Sequence, residues 1–389
     1  MRITEIRELA VPLEGSIANA VVSFADHDVS LVALITDVMR NGRPVAGLGF
    51  NSIGRFAQGG IIRSRMAPRV LAAPPESLLA EDGRFDPARV LAAAMKNEKP
   101  GGHGDRAGAA GAIELAVWDL NAKLNDEPAY AAIARKHGPK NGSRSDTVDV
   151  YAAGGYYYAP GTGRTLGDEL RAYRDMGFTA FKMKIGGAPL ADDLKRIEQA
   201  LVVAGEGGRL AVDANGRFDF EMAAAYGKAM APYGLRWFEE IGDPLDYRLN
   251  AQAIAAYGGA VATGENLFSL IDTQNLLRFG GMRPGRDIFQ MDPGLSYGLT
   301  EYARMIALLE AQGFDRKQAY PHGGHLINLH IAVGMGLGGC EAYPGVFQPF
   351  GGYPAQCALG GGTVRPGDAS GFGLEQKSGL APLIGRLTG

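Results

Sequence analysis

Apolar and polar positions alternate along residues 1 to about 50 in the manner of β-strands. Ile3, Ile6 and Val11 fall in a first strand, Val21, Val22 and Phe24 in a second, and the run 31–38 in a third. Asn41-Gly42 is a hairpin signal before a further run at 45–50, so an antiparallel meander is expected. From 59 to about 97 the spacing becomes helical, with Ile61, Met66, Val70 and Leu71, then Val90, Leu91 and Met95. The segment 109–124 is strongly helical and mostly apolar. Strands first and helices after give residues 1–125 the character of an α+β domain.

Beyond a polar stretch at 136–146 the pattern changes to strand, helix, strand, helix. A strand is expected at 147–155 and a helix at 165–176, with Thr165 and Asp168 at cap spacing and Gly177 as the stop. Strands at 179–185, 210–213 and 235–239 alternate with helices at 190–204 and 220–230, and the alternation continues through 265. Later strand ends fall at Asp292, His322 and Glu341. Counted from Val148 there are eight strands, which predicts a (β/α)₈ TIM barrel over residues 140–348. The Gly- and Pro-rich tail 349–389 has little periodicity and is expected to pack back on the first domain.

Composition narrows the picture. A chain of 389 residues exceeds one core of ordinary size, consistent with two domains. The net charge of −3 leaves no basic excess for neutralising phosphates, so a nucleic-acid partner is not expected. Cys340 and Cys357 are too few for a disulfide framework or a cysteine-rich zinc site. The charged N-terminus lacks a signal-peptide core and no apolar run approaches a membrane span, so no membrane partner and a cytoplasmic location are expected. The 57 glycines, about twice ordinary usage, suit many tight strand–helix loops.

The chemistry gathers at the strand ends. Phe181-Lys182-Met183-Lys184, Val212-Asp213-Ala214-Asn215, Phe238-Glu239-Glu240 and Thr263-Gly264-Glu265-Asn266 each end an apolar run in charged or amide residues. Lys184 to Asp213 is 29 residues, and Asp213 to Glu239 and Glu239 to Glu265 are 26 each. That is about one strand–helix module of such a barrel, and it sets three acids at successive strand ends around the barrel mouth. Three carboxylates without nitrogen or sulfur ligands suit a hard divalent cation, Mg²⁺ by preference. Lys182 and Lys184 share one strand face. Lys182 is expected to offset the residual charge while contacting a substrate carboxylate chelated to the cation. Such chelation stabilises the charge left when the α-proton departs. Lys184, beside a cation and a second lysine, is expected to have a lowered pKa and to act as the base.

His322 ends the seventh strand and Asp292 the sixth; an aspartate on one ring nitrogen fixes the tautomer and raises the basicity of the other. Asn215, on the face of Asp213, is a candidate for a substrate hydroxyl. Glu341 is a candidate for the enediolate oxygen or for orienting His322. Asn19, Asn51, Ser52 and Arg55, in loops near 16–23 and 50–60, are candidates for a distal carboxylate, Arg55 as a bidentate partner. One ring of Tyr156-Tyr157-Tyr158 is a candidate wall, with Tyr158 singled out. His325 and His330 fit no zinc-enzyme spacing and are expected to be structural.

Taken jointly, Lys-Met-Lys at 182–184, Asp-Ala-Asn at 213–215, Glu-Glu at 239–240, Gly-Glu-Asn at 264–266, the Asp292/His322 pair and Glu341 resemble the enolase superfamily in its mandelate racemase subgroup. The stretch Ala-Ile-Glu-Leu-Ala-Val-Trp-Asp-Leu at 112–120 resembles that family's helix before the barrel. The resemblance implies Mg²⁺ on Asp213, Glu239 and Glu265, acid–base roles for Lys184 and the His322–Asp292 pair, and a substrate-selecting capping domain at 1–125. It further implies a homo-oligomer that dehydrates a small hydroxy diacid, with D-tartrate going to oxaloacetate. A longer acid sugar, or racemisation by the same Lys/His pair, are the alternatives.

Overall fold

The computed structural model describes residues 1–15, 17–140, 142–143, 145–158 and 165–389. In the N-terminal domain β1 (Ile3–Pro12) pairs antiparallel with β2 (Asp28–Arg40), and β2 with β3 (Arg43–Phe50). The strand expected around Val21–Phe24 is instead a turn. The Asn19 side chain accepts from the amides of Val21 and Val22 at 2.8 and 2.7 Å, which bends the chain and leaves Val21 exposed.

The long helix Asp105–Leu124 lies across β3. A Cβ on Gly47 would stand 2.1 Å from the Ala116 carbonyl oxygen, and one on Gly49 2.3 Å from that of Ala112. Only glycine allows strand and helix backbones this close. The acids of the helix tie it to the rest of the chain. Asp119 accepts from the amides of Leu48 and Phe372, at 2.8 and 2.6 Å. Glu114 accepts from the amides of Leu299 and Thr300, at 2.8 and 3.0 Å, and so caps the barrel helix Leu299–Ala311.

The barrel is built from β4 (Val148–Gly154), β5 (Phe181–Lys184), β6 (Leu210–Asp213), β7 (Phe238–Glu239), β8 (Val261–Thr263) and β9 (Ile288–Phe289), each parallel to the next. The seventh stave is a single bridge, Phe289 to Ala319. The eighth, β10 (Gly339–Ala342), pairs with β4 and closes the ring. Tyr151, Ala211, Trp237 and Ala262 fill its interior. Register brings the chemistry together, since Lys184 lies opposite Asp213, and Asp213 opposite Glu239.

The tail is shared between the two domains. A hairpin of β11 (Ala358–Gly360) and β12 (Thr363–Arg365) pairs with the start of β4 through Thr363–Asp149 and Val364–Val148. There β4 has no partner in β5, whose pairing begins only at Ala152. At the final helix, Ala381–Thr388, Arg7 of β1 donates to the Leu387 carbonyl at 3.0 Å. Among the described residues no helix is long and apolar enough to cross a membrane.

Candidate active site

The parallel staves end together, so their last side chains share one rim. Carboxylate oxygens of Asp213, Glu239 and Glu265 all lie within 4.8 Å of one another. Asp213 and Glu239 are fully buried. Burial, and the charges of Asp213 and Glu341 working against that of Lys182, push Glu239 up to about 8. Three crowded carboxylates of this kind call for a proton or a cation between them. An all-oxygen donor set of net charge −3 fits a hard divalent ion such as Mg²⁺. The residues present therefore fit the metal that the sequence implies.

The two lysines of β5 divide the work. Lys182 is 1% exposed and touches Glu239 at 2.5 Å, Glu341 at 2.6 Å and Asp213 at 3.5 Å. It does not line the cavity in this geometry, where its contacts are with these three carboxylates. Lys184 does line the cavity, with Nζ 2.5 Å from Asp213 Oδ2 and 5.4 Å from the centre of the Tyr156 ring. Its pKa departs from the expected direction. Burial lowers it and Lys182 lowers it further, but Asp213 in contact, together with Glu265 and Glu239, outweighs both, and the ammonium is raised. In return Lys184 and Lys182, against the cost of burial, hold Asp213 well below the usual carboxylate range.

His322 stands at the other end of the triad. Its Nδ1 is 3.1 Å from Asp292 Oδ2, and its Nε2 is 3.1 Å from the Tyr343 hydroxyl and 3.7 Å from Glu265 Oε2. Asp292 is held in turn by the Ser52 hydroxyl at 2.5 Å, the Gly294 amide at 2.8 Å and the Asn328 amide group at 3.1 Å. Burial lowers the His322 pKa, but Glu265, Asp292 and Glu341 raise it, to about 10 overall. These acids favour the charged ring, whose Nε2 faces the cavity. Lys184 flanks the acids at Asp213 and His322 flanks them at Glu265, and both face one cavity of about 640 Å³ between barrel and first domain.

The other sequence candidates sort by position. Asn215 lines the cavity in a left-handed conformation (φ 49°), its buried Oδ1 without a hydrogen-bond partner among the described residues. Glu341 touches Lys182 and accepts from the Gly323 amide at 3.0 Å, beside His322. Arg55 and Asn19 line the cavity from the first domain; Arg55 binds the Asn266 side chain and stacks over Phe268 at 5.3 Å.

Asn51 does not line the cavity. It is wholly buried, accepting from the Ser30 amide at 2.8 Å and donating to the Phe56 carbonyl at 3.1 Å. Tyr158 turns away to bond Glu169 at 2.5 Å, and Tyr156 forms the wall instead. Gly155, in a left-handed conformation (φ 60°), turns the chain out of β4 just before both rings, so strand alternation does not set which one faces the site. His325 caps the helix Leu326–Met335 and meets Ser52 at 2.9 Å, and His330 accepts from the Tyr130 amide at 3.2 Å. Tyr343 and Glu240 line the cavity and were not anticipated. Tyr343 had a signal, since it follows Glu341 by two residues, the period of one strand face.

The model of the family described as enolase C-terminal domain-like matches residues 165–378, more than half of the chain. The chain belongs to the enolase superfamily. This enolase-superfamily chain is 29% identical over 227 residues to the arabinonate dehydratase of Saccharolobus solfataricus, covering 57% of each protein. It is 26% identical over 329 residues to the L-talarate/galactarate dehydratase of Salmonella typhimurium, covering 84% of this chain and 77% of that one. It thus spans less than two thirds of the first of these relatives. A racemase from Streptomyces coelicolor A3(2), crystallised with bound magnesium, superposes with a TM-score of 0.76 over 99% of both chains at 23% identity, which shows the shared fold.

Proposed function

We propose that this protein is a Mg²⁺-dependent hydro-lyase that removes water from a 2,3-dihydroxy acid. The observation that carries the reading is the placement of Lys184 and His322 at opposite ends of the carboxylate triad, both facing the same cavity. Dehydration needs a base at the α-carbon and an acid at the β-hydroxyl, and Lys184, once its pair with Asp213 is broken, and His322 are placed for these roles. Mg²⁺ on Asp213, Glu239 and Glu265 would supply charge stabilisation at the substrate carboxylate and acidify its α-proton.

Lys184 then takes the α-proton through Nζ, once Asp213 no longer holds that nitrogen as its ion-pair partner. His322 gives its Nε2 proton to the β-hydroxyl, which leaves as water. The resulting enol tautomerises to a 2-keto acid. Lys182 offsets part of the charge of the acids, and Asp292 with Ser52 and Asn328 holds the His322 ring in place.

The first substrate we propose is D-tartrate, giving oxaloacetate, with Arg55 as the one guanidinium on the cavity wall among the described residues for the distal carboxylate. A longer acid sugar is the second reading. It is favoured by the volume of the cavity, about 640 Å³, and by relatives named as dehydratases of arabinonate and talarate/galactarate. The test is incubation of the protein with Mg²⁺ and a panel of tartrate stereoisomers, sugar diacids and aldonic acids, scoring 2-keto acid. Keto acid from D-tartrate alone supports the first reading, and from longer acids the second. If no member yields keto acid but solvent deuterium enters recovered substrate, dehydration is wrong and racemisation or epimerisation takes its place.

A further inference from the structure

A second cavity, of about 460 Å³, lies away from the barrel mouth, where the tail folds over the loop that follows β10. Its walls include Phe178, Pro344, Tyr353 and Leu359, and among the described residues its one charged group is Lys377. This lysine is 7% exposed. Its Nζ donates to the carbonyls of Gly351 at 2.7 Å and Gly352 at 3.2 Å, and among the described residues no carboxylate pairs with it. An ammonium has three protons, so one is left for another acceptor.

Among the described residues nothing else in the cavity supplies the missing charge. Burial raises the Cys357 thiol, and it raises the Tyr353 hydroxyl well above its ordinary value, so both stay neutral at physiological pH. The same burial brings Lys377 down to about 8. A buried cation without a counter-charge is costly, and an anion in contact with it removes that cost. The apolar walls ask for an apolar body on the same ligand.

We propose that this cavity is a binding site, separate from the active site, for a small monocarboxylate with an apolar or aromatic body, its carboxylate on Lys377 Nζ and its body against Phe178, Tyr353 and Leu359. The site is joined to the barrel mouth by a short path. Gly352 donates to the Gly324 carbonyl at 3.0 Å, and Gly324 follows His322 by two residues, so the lysine holds the segment that supports the His322 loop.

Phenylacetate is the probe, added to the full chain in the presence of Mg²⁺ and followed by the methyl resonance of Met176, which lines the cavity. Assignment by Met176→Leu identifies that signal. A saturable shift is expected with phenylacetate, at least about 10-fold weaker with the neutral phenylacetamide and with the Lys377→Met variant, in line with the loss of a charge-assisted hydrogen bond. Absence of a saturable shift, or equal affinity for the acid and the amide, overturns the proposal. The amide comparison needs no variant, so it stands even if Lys377→Met fails to fold.

Discussion

The Nζ of Lys184 lies 2.5 Å from Oδ2 of Asp213, its neighbour in register on the next stave. The same carboxylate is one of the three that converge within 4.8 Å. The proposed base and a proposed metal ligand are therefore partners in this geometry, and a cation bound there would compete with the lysine for Asp213. Chelation of divalent ions is expected to abolish turnover and added Mg²⁺ to restore it. Asp213→Asn should weaken Mg²⁺ binding, read by calorimetry, by at least about 100-fold. Full turnover in excess chelator would remove the metal from the mechanism.

Tyr343 offers a finer test. Its hydroxyl is 3.1 Å from Nε2 of His322, the nitrogen that faces the cavity, and its ring packs on Phe347 at 4.8 Å. Tyr343→Phe keeps the ring and loses only the hydroxyl contact. We expect a fall in kcat of about 10-fold, on the scale of one lost hydrogen bond to a charged group, with a smaller change in KM. An unchanged kcat would show that the hydroxyl is a spectator.

Arg55 tests substrate choice. It is held in place by Asn266 and by the face of Phe268. If it receives a distal carboxylate, Arg55→Ala should raise KM for a diacid by about 10- to 100-fold, the worth of a charge-assisted pair, and leave KM for a monocarboxylic acid sugar almost unchanged. Equal effects on both would assign Arg55 to packing of the domain interface.

Glu114 links the domains. Its two oxygens accept from the amides of Leu299 and Thr300, the Thr300 hydroxyl and the indole of Trp118. Glu114→Ala strips the cap from the Leu299–Ala311 helix and leaves several donors unpaired, which should cost about 2–4 kcal/mol in denaturant unfolding. Glu114→Gln keeps two acceptor sites on one oxygen and should cost less. Equal losses would mean that the charge, and not the count of acceptors, carries the contact.

How far the sequence reached follows from the range of each signal. The acids at 213, 239 and 265 announce themselves because strand–helix modules repeat and each acid ends its own apolar run. The Ser52 contact to Asp292 has no such signal, since a loop residue joins a stave 240 positions away. The seventh stave is legible only as the run before His322, because it forms a single bridge. The direction of the Lys184 shift was missed for a physical reason. A second lysine two positions away suggests repulsion, whereas the nearest charge in space is an aspartate on another strand. The hairpin on β4 was missed because its two three-residue strands sit among glycines and turns.

The buried histidines give a pH prediction unconnected with catalysis. Burial brings His330 down to about 3 and His325 to about 4, and burial with two nearby cations brings His137 to about 4. Each folded-state pKa lies below the unfolded value of about 6.5, so between the two the unfolded chain binds more protons. The stability they protect is fully present above pH 6.5 and is lost as pH falls towards the folded-state values. His330 accepts the Tyr130 amide on Nδ1 and can keep that bond only while that nitrogen is unprotonated. By pH 5 its share of the loss is about 2 kcal/mol, at roughly 1.4 kcal/mol for each pH unit below 6.5. His330→Gln should therefore lower stability at pH 7 yet narrow the gap between pH 7 and pH 5, read from urea midpoints at both. If the gap is as wide in the variant as in the parent, His330 does not set the acid limb, and the remaining fall belongs to His325, His137 and the buried carboxylates.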